Sequence, residues 1–140
     1  MSAGIAGSIA EMVEQRYVDV LHAVKTAVSI PVSMKLSPYF SATAHTIRKL
    51  SLAGADGFVL FNRFNQPDID LTGLMLRRDM PLSSPEEIRL PLLWIGILFG
   101  RVAGSLAAST SVESSEQVVK YLLAGGRCRH DNIGVAAARH

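Results

Sequence analysis

The stretch LAGADGFVLFN, residues 52–62, carries the clearest secondary-structure signal in this chain. An apolar run from Phe58 to Phe61 lies between Gly57 and the polar Asn62, a pattern typical of a buried strand. Gly54 stands at a natural position for the left-handed cap that ends a helix. A helix over 41–53 is therefore predicted to lead directly into a strand over 57–62, one unit of an α/β fold.

The same alternation of helix and strand continues on both sides of this unit. Ser84-Pro85 predicts a short helical turn, and Pro91 predicts the start of a second helix. This second helix is apolar on most sides and is expected to be well buried. Ser114 and Gln117 form a capping-box pattern at the start of the last helix. The predicted helices cover 12–28, 41–53, 91–102 and 115–124, and the predicted strands cover 32–36, 57–62 and 105–109.

Short buried strands that alternate with helices imply a parallel sheet. The polar segment 63–84 between the second strand and the third helix is too long for a tight turn, and we expect a hairpin or short extended pieces in it. Three strands cannot close a barrel and leave sheet edges unpaired. The sequence therefore predicts either a small open sheet or part of a larger fold.

Composition excludes several classes of protein. With 49% hydrophobic and 19% charged residues the composition is that of a globular protein. The net charge of +2 does not indicate a basic surface that would bind nucleic acid. The apolar stretch 90–100 is shorter than the ~20 residues of a membrane span. Cys128 is the sole cysteine, and the N-terminus is a poor signal peptide. We expect a cytoplasmic protein that binds neither nucleic acid nor membrane.

Two segments, VSMKLSPYF (32–40) and LAGADGFVLFNRFNQPDID (52–70), resemble the dihydroorotate dehydrogenase family of FMN-dependent (β/α)8 barrels, and in particular a bacterial branch that is dihydroorotate dehydrogenase-like. The resemblance runs from about Val13 to Gly125, after a poorly matched lead-in over 1–12. It implies an α/β fold, a partial TIM (β/α)8 barrel with about strands five to seven and their flanking helices. The implied activity is oxidation of dihydroorotate to orotate in pyrimidine biosynthesis, with FMN as cofactor.

The resemblance also implies site residues at the carboxyl ends of the strands. Lys35 matches a lysine that contacts the flavin ring, where a fixed cation would favour the anionic reduced flavin. Without the resemblance, a lysine that snorkels from a strand end is the alternative interpretation. Asn62 matches an asparagine that contacts substrate or flavin, and a turn-favouring residue at a strand end is its alternative.

Ser109, Thr110 and Ser111 follow the seventh strand of the implied barrel, where the family binds the FMN phosphate through backbone N–H groups. The family pattern has Gly at the position of Ser111, because the backbone must approach the phosphate closely. At this position the chain departs from the family pattern. The four histidines show no metal-ligand spacing, so no metal site is predicted.

No residue of this chain matches the catalytic Cys or Ser of the family, whose loop on this mapping lies upstream of Met1. We therefore expect the 140-residue chain to be inactive alone, and its expected partners are a dihydroorotate-like small molecule and either a complementary N-terminal half or further copies of itself. The alternatives are a non-catalytic remnant and a partner-binding protein without flavin.

The segment 126–140 breaks the pattern, because Arg-Cys-Arg-His-Asp-Asn stands where an eighth strand is due. One permitted back-translation of this segment, read from its second base, gives an apolar strand and the Thr-Ser-Ala-Leu-Leu-like segment of the family. The hypothesis is that a one-base shift near Gly125 produced the tail, and the sequence of the genomic locus tests it.

Overall fold

A computed structural model describes residues 3–62, 67–77, 84–109 and 112–128 of the chain. The four α-helices in these ranges are α1 (Ala3–Ala27), α2 (Thr43–Leu52), α3 (Arg89–Leu98) and α4 (Ser115–Leu123). A 3-10 turn, Pro85–Ile88, precedes α3. The strands are β1 (Ser33–Leu36), β2 (Gly57–Leu60), β3 (Asp68–Asp70), β4 (Met75–Arg77), β5 (Ser105–Ala108) and β6 (Arg127–Cys128).

The main sheet is parallel, and its spatial order β1-β2-β5-β6 follows the order of these strands in the sequence. The register places Lys35 beside Val59, and Val59 beside Ala107. The described strands form an open sheet and no barrel. The protein is thus a mixed α/β protein built on a small parallel sheet, as the alternation of segments predicts.

The two faces of this sheet have different surroundings. One face, called the helix face, presents Leu36, Phe58, Leu60, Leu106 and Ala108, which are all buried in the hydrophobic core. Helix residues such as Leu21, Ile47, Ile95 and Tyr121 belong to the same core. The other face, called the open face, carries Ser33, Lys35, Val59, Ser105 and Ala107, none of which belongs to the core. The helices therefore cover one face of the sheet.

The polar segment after β2 contains the predicted hairpin. Strands β3 and β4 are antiparallel, with Ile69 opposite Leu76, and they form a separate two-stranded sheet. Glycines end two helices: Gly54, as predicted, has a φ of 97° after α2, and Gly125 has a φ of 92° after α4. The capping box of Ser114 and Gln117 at the start of α4 is also confirmed.

Helix α3 is less buried than expected. Pro91, Ile95 and Leu98 are buried, but Leu93 is 58% exposed and Phe99, just after the helix, 62%. The prediction that this segment is well buried on most sides was wrong, because the described elements pack against one side of α3 only. No described helix is long and apolar enough to cross a bilayer.

Two further differences concern the ends of the chain. Helix α1 begins at Ala3, nine residues before the predicted start, because Ala3, Ala6 and Ala10 favour helix in the lead-in. Beyond Gly125 the chain returns to the sheet as β6, whose Arg127 and Cys128 pair with Ala107 and Ala108. Two residues of the tail predicted over 126–140 thus form a strand, and 129–140 lie outside the described residues.

Candidate functional site at the carboxyl edge of the sheet

The carboxyl ends of β1, β2 and β5 are tied together by hydrogen bonds. The backbone N–H of Asn62 donates to the carbonyl of Leu36 at 2.6 Å, and that of Ser109 donates to the carbonyl of Leu60 at 3.3 Å. The Ser109 hydroxyl also donates to the carbonyl of Phe61 at 3.1 Å. These bonds fix the residues that follow three neighbouring strands at one edge of the sheet, where α/β folds bind ligands.

Lys35 lies on the open face of β1, one residue before the end of the strand. Its neighbour Leu36 is fully buried on the helix face, and the alternation along the strand turns Lys35 away from the core, where it is exposed. Because Val59 and Ala107 stand beside it in register, the lysine borders an uncharged stretch of sheet. This position suits a cation that contacts a flat ligand lying over the strand ends.

Asn62 and Ser109 are exposed at the same edge. Asn62 follows the buried Phe61, and its amide offers donors and an acceptor to a ligand. The structure therefore brings Lys35, Asn62 and Ser109 to the ends of adjacent strands. Lys35 supplies positive charge, whereas the other two supply neutral hydrogen-bonding groups.

The expected phosphate half of the site is only partly described. Thr110 and Ser111 lie outside the described residues, so Ser109 alone of the three is placed. The start of α4 is committed to its own cap: the N–H groups of Glu113 and Ser114 donate to Oε1 of Gln117 at 2.7 and 3.0 Å. The N–H of Gln117 in turn donates to the Ser114 hydroxyl. This turn therefore does not fit a phosphate, and the N–H and hydroxyl of Ser109 already donate to the carbonyls of Leu60 and Phe61.

Residue Cys128 occupies a position at this edge that the sequence analysis did not assign to the site. Its backbone is in register with Ala108, one residue before Ser109. The glycine at 125 could have indicated this return to the sheet. Gly125 has a positive φ and ends α4 before β6, as Gly54 ends α2 before β2. Among the described residues no cluster of His, Cys, Asp or Glu could hold a metal ion.

The opposite, amino edge of the sheet is held by Asp56. Its carboxylate accepts hydrogen bonds from Nζ of Lys25 and from the N–H of Val32, both at 2.7 Å. The Lys25 hydrogen bond, with a further contribution from Val32, lowers the pKa of Asp56 below its ordinary value. This contact joins the end of α1 to the sheet at the edge remote from Lys35, and its role is structural.

Comparison with models of known protein families gives no match to this chain, and a search of curated proteins gives no significant match. The resemblance to flavin barrels rests on the quoted residues alone.

Proposed function

We propose that this chain is part of an FMN-dependent oxidoreductase of the dihydroorotate dehydrogenase type. The observation that carries the proposal is the convergence of Lys35, Asn62 and Ser109 at the carboxyl edge of a parallel sheet. This is the edge where barrel enzymes place their chemistry, and these residues are the ones that the resemblance assigns to flavin and substrate.

The topology supports a section of barrel wall as the finer fold. In a (β/α)8 barrel the strands follow one another in order, the helices lie outside, and the inner face of the sheet lines the interior. The order β1-β2-β5-β6, the helix layer on one face and the small or partly exposed residues of the open face agree with this arrangement. On this proposal β1, β2 and β5 are barrel strands five to seven, and β6 takes the place of the eighth.

The residues at the edge fit the ring end of a flavin better than its phosphate. When bound, FMN supplies a hydride acceptor. Lys35 would hold the ring on the open face and stabilise negative charge on it, and Asn62 would orient a planar, dihydroorotate-like substrate through its amide. On the resemblance, Ser109, Thr110 and Ser111 would contact the phosphate, and Ser109 would exchange its hydroxyl bond to Phe61 for that contact.

We further propose that the 140-residue chain alone does not turn over dihydroorotate. No residue of the sequence matches the family's catalytic Cys or Ser, so no general base is assigned. The structure also leaves surface for a further segment, because β1 pairs with a strand on one side only in the described sheet. In addition, α1 presents an apolar row of four residues that are 39–57% exposed: Ile9, Val13, Val20 and Val24. We name this row the α1 stripe.

The α1 stripe also favours a second candidate function, a partner-binding protein without flavin. The four side chains lie at helical spacing along one side of α1, away from the buried Val18, and a docked helix would cover them. Flavin binding separates the two functions, because only the flavin function requires a cation at the position of Lys35.

The test is a titration of the purified chain with FMN, followed by quenching of flavin fluorescence. We expect saturable binding that Lys35→Gln weakens at least about tenfold, the loss of one charge-assisted contact. The control Lys49→Gln removes a lysine from α2, on the helix side of the sheet, and should leave binding unchanged. Absence of FMN binding by the unmodified chain would overturn the flavin function in favour of partner binding, and turnover of dihydroorotate would refute the predicted inactivity.

A further inference from the structure

Ser109 uses both of its hydrogen-bond donors within the protein. Its N–H donates to the carbonyl of Leu60 at 3.3 Å, and its hydroxyl donates to the carbonyl of Phe61 at 3.1 Å. A serine hydroxyl carries a single hydrogen, so a contact in which it donates to a phosphate requires breaking the bond to Phe61. The hydroxyl is therefore already in use at the strand ends without any ligand.

The bond from Ser109 holds the peptide group that leads into Asn62. This group consists of the carbonyl of Phe61 and the N–H of Asn62, and the N–H donates to the carbonyl of Leu36 at 2.6 Å. One side of the peptide group is thus bonded to the end of β1, and the other side is bonded to the residue after β5. Phe61 itself is only 3% exposed, so the chain is also anchored in the core immediately before Asn62.

Asn62 belongs to the ring end of the candidate site. Its side chain is exposed at the carboxyl edge of the sheet, where the proposed function gives its amide the task of orienting a planar ligand. Hydrogen bonds from an amide to a planar ring depend on direction, so a small rotation of the Asn62 backbone weakens them. A side chain that holds this backbone in place therefore influences the ligand without touching it.

We infer that Ser109 is a positioning residue for Asn62, a role that rests on the proposed function and acts on the ring end of a bound flavin. The resemblance gives Ser109 a different role, a contact with the phosphate. The two roles predict different ligand dependence. A phosphate contact matters for FMN alone, whereas the positioning of Asn62 matters equally for riboflavin, which has the same ring and no phosphate.

Titrations of the full chain with FMN and with riboflavin, followed by flavin fluorescence, separate the two roles. We expect Ser109→Ala to raise the dissociation constants of both flavins by the same factor, about threefold or more. Ser109→Thr keeps a hydroxyl and should restore both constants. The control Ser105→Ala removes a hydroxyl from the amino end of the same strand and should leave them unchanged. In an Asn62→Ala background, Ser109→Ala should have no further effect.

Two results of these titrations overturn the positioning role. One is an effect of Ser109→Ala that is larger for FMN than for riboflavin, or that is absent for both. The other is a further loss of affinity when Ser109→Ala is added to Asn62→Ala.

Hydrogen exchange of the Asn62 amide tests the positioning without a ligand. The N–H of Asn62 is protected by its bond to the Leu36 carbonyl. Relative to the amides of β2, we expect Ser109→Ala to accelerate its exchange about tenfold or more, and Ser105→Ala to leave it unchanged. Unchanged exchange in Ser109→Ala overturns the positioning of Asn62 even if flavin binds. A chain that binds neither flavin but shows the accelerated exchange refutes the proposed function and leaves Asn62 positioned by Ser109.

Discussion

The Asp56 carboxylate joins α1 to the amino edge of the sheet. Its pKa is lowered by hydrogen bonds from Lys25 and from the N–H of Val32. A carboxylate with a lowered pKa stabilises the folded state at pH values above its unfolded pKa, here near 3.8, and loses that contribution as the pH falls through the folded pKa. We expect Asp56→Asn to lower the urea midpoint at neutral pH, with a difference from the unmodified chain that shrinks below pH 3.8.

Urea titrations at several pH values measure this difference. Glu11→Gln, which removes a carboxylate from the exposed side of α1, is the control and should show no such convergence. A difference between Asp56→Asn and the unmodified chain that stays constant over the acid range would contradict the role assigned to the Asp56 charge.

Leu60 tests the helix face of the sheet. It is fully buried at the end of β2, so Leu60→Ala removes apolar contacts and leaves a cavity. We expect a loss of about 2–5 kcal/mol in the free energy of unfolding. Leu123→Ala makes the same chemical change at a residue that is 82% exposed and should cost less than about 0.5 kcal/mol. Similar losses in the two variants would show that the sheet faces have been assigned wrongly.

At the scale of the elements, α4 depends on its capping box. The Ser114 hydroxyl accepts from the N–H of Gln117, and the Gln117 amide oxygen accepts from the N–H of Ser114 at 3.0 Å. We expect Ser114→Ala to destabilise the protein by about 1 kcal/mol in urea unfolding. The adjacent Ser115→Ala, inside the first turn, should change stability by no more than a few tenths of that, because Ser115 does not cap the helix. Equal effects would mean that the cap contributes nothing.

Two glycines give opposite predictions for the same substitution. Gly125 has a φ of 92°, and a Cβ atom there would lie 2.1 Å from the Phe99 ring, so Gly125→Ala should cost at least about 1–2 kcal/mol. Gly96 lies inside α3 with nothing within 4 Å of an added Cβ, and Gly96→Ala should stabilise by about 0.5–1 kcal/mol. Thermal unfolding of both variants checks the pair, and a change of the same sign in both would contradict it.

The elements that the sequence predicts best are those with the clearest boundaries. The strand around Phe58 is a continuous apolar run, and it was found within two residues of its predicted end. Strand β6 could not be predicted, because Arg127 and Cys128 carry no strand pattern and are recruited by the free edge of β5. The exposure of α3 was missed for a related reason: apolar residues on all sides of a helix do not tell which neighbours are present to cover them.

The candidate site, too, could be predicted from the sequence only in part. The positions of Lys35 and Asn62 could be predicted, because parallel strands bring their carboxyl ends to one edge. The hydrogen bond from the Ser109 hydroxyl to Phe61 could not, since it joins residues 48 positions apart through a geometry that only the folded sheet defines.

For the whole molecule, the α1 stripe predicts binding of apolar dyes. We expect Val13→Lys/Val20→Lys to reduce fluorescence of bound anilinonaphthalene sulfonate, because it removes two exposed valines, while the free energy of unfolding changes by no more than about 0.5 kcal/mol per site. The control Glu11→Lys/His22→Lys adds charge to exposed polar positions of the same helix and should leave the fluorescence high. Equal fluorescence in the two double variants would place the dye elsewhere.

The order of strands in the main sheet has a consequence for synthesis on the ribosome. Because spatial order equals chain order, β2 finds β1 already made, β5 finds β2, and β6 finds β5. The sheet can therefore grow in one direction as the chain emerges, each strand joining the edge left by the one before. Within the described main sheet, each later strand thus pairs with a neighbour that has already been synthesised.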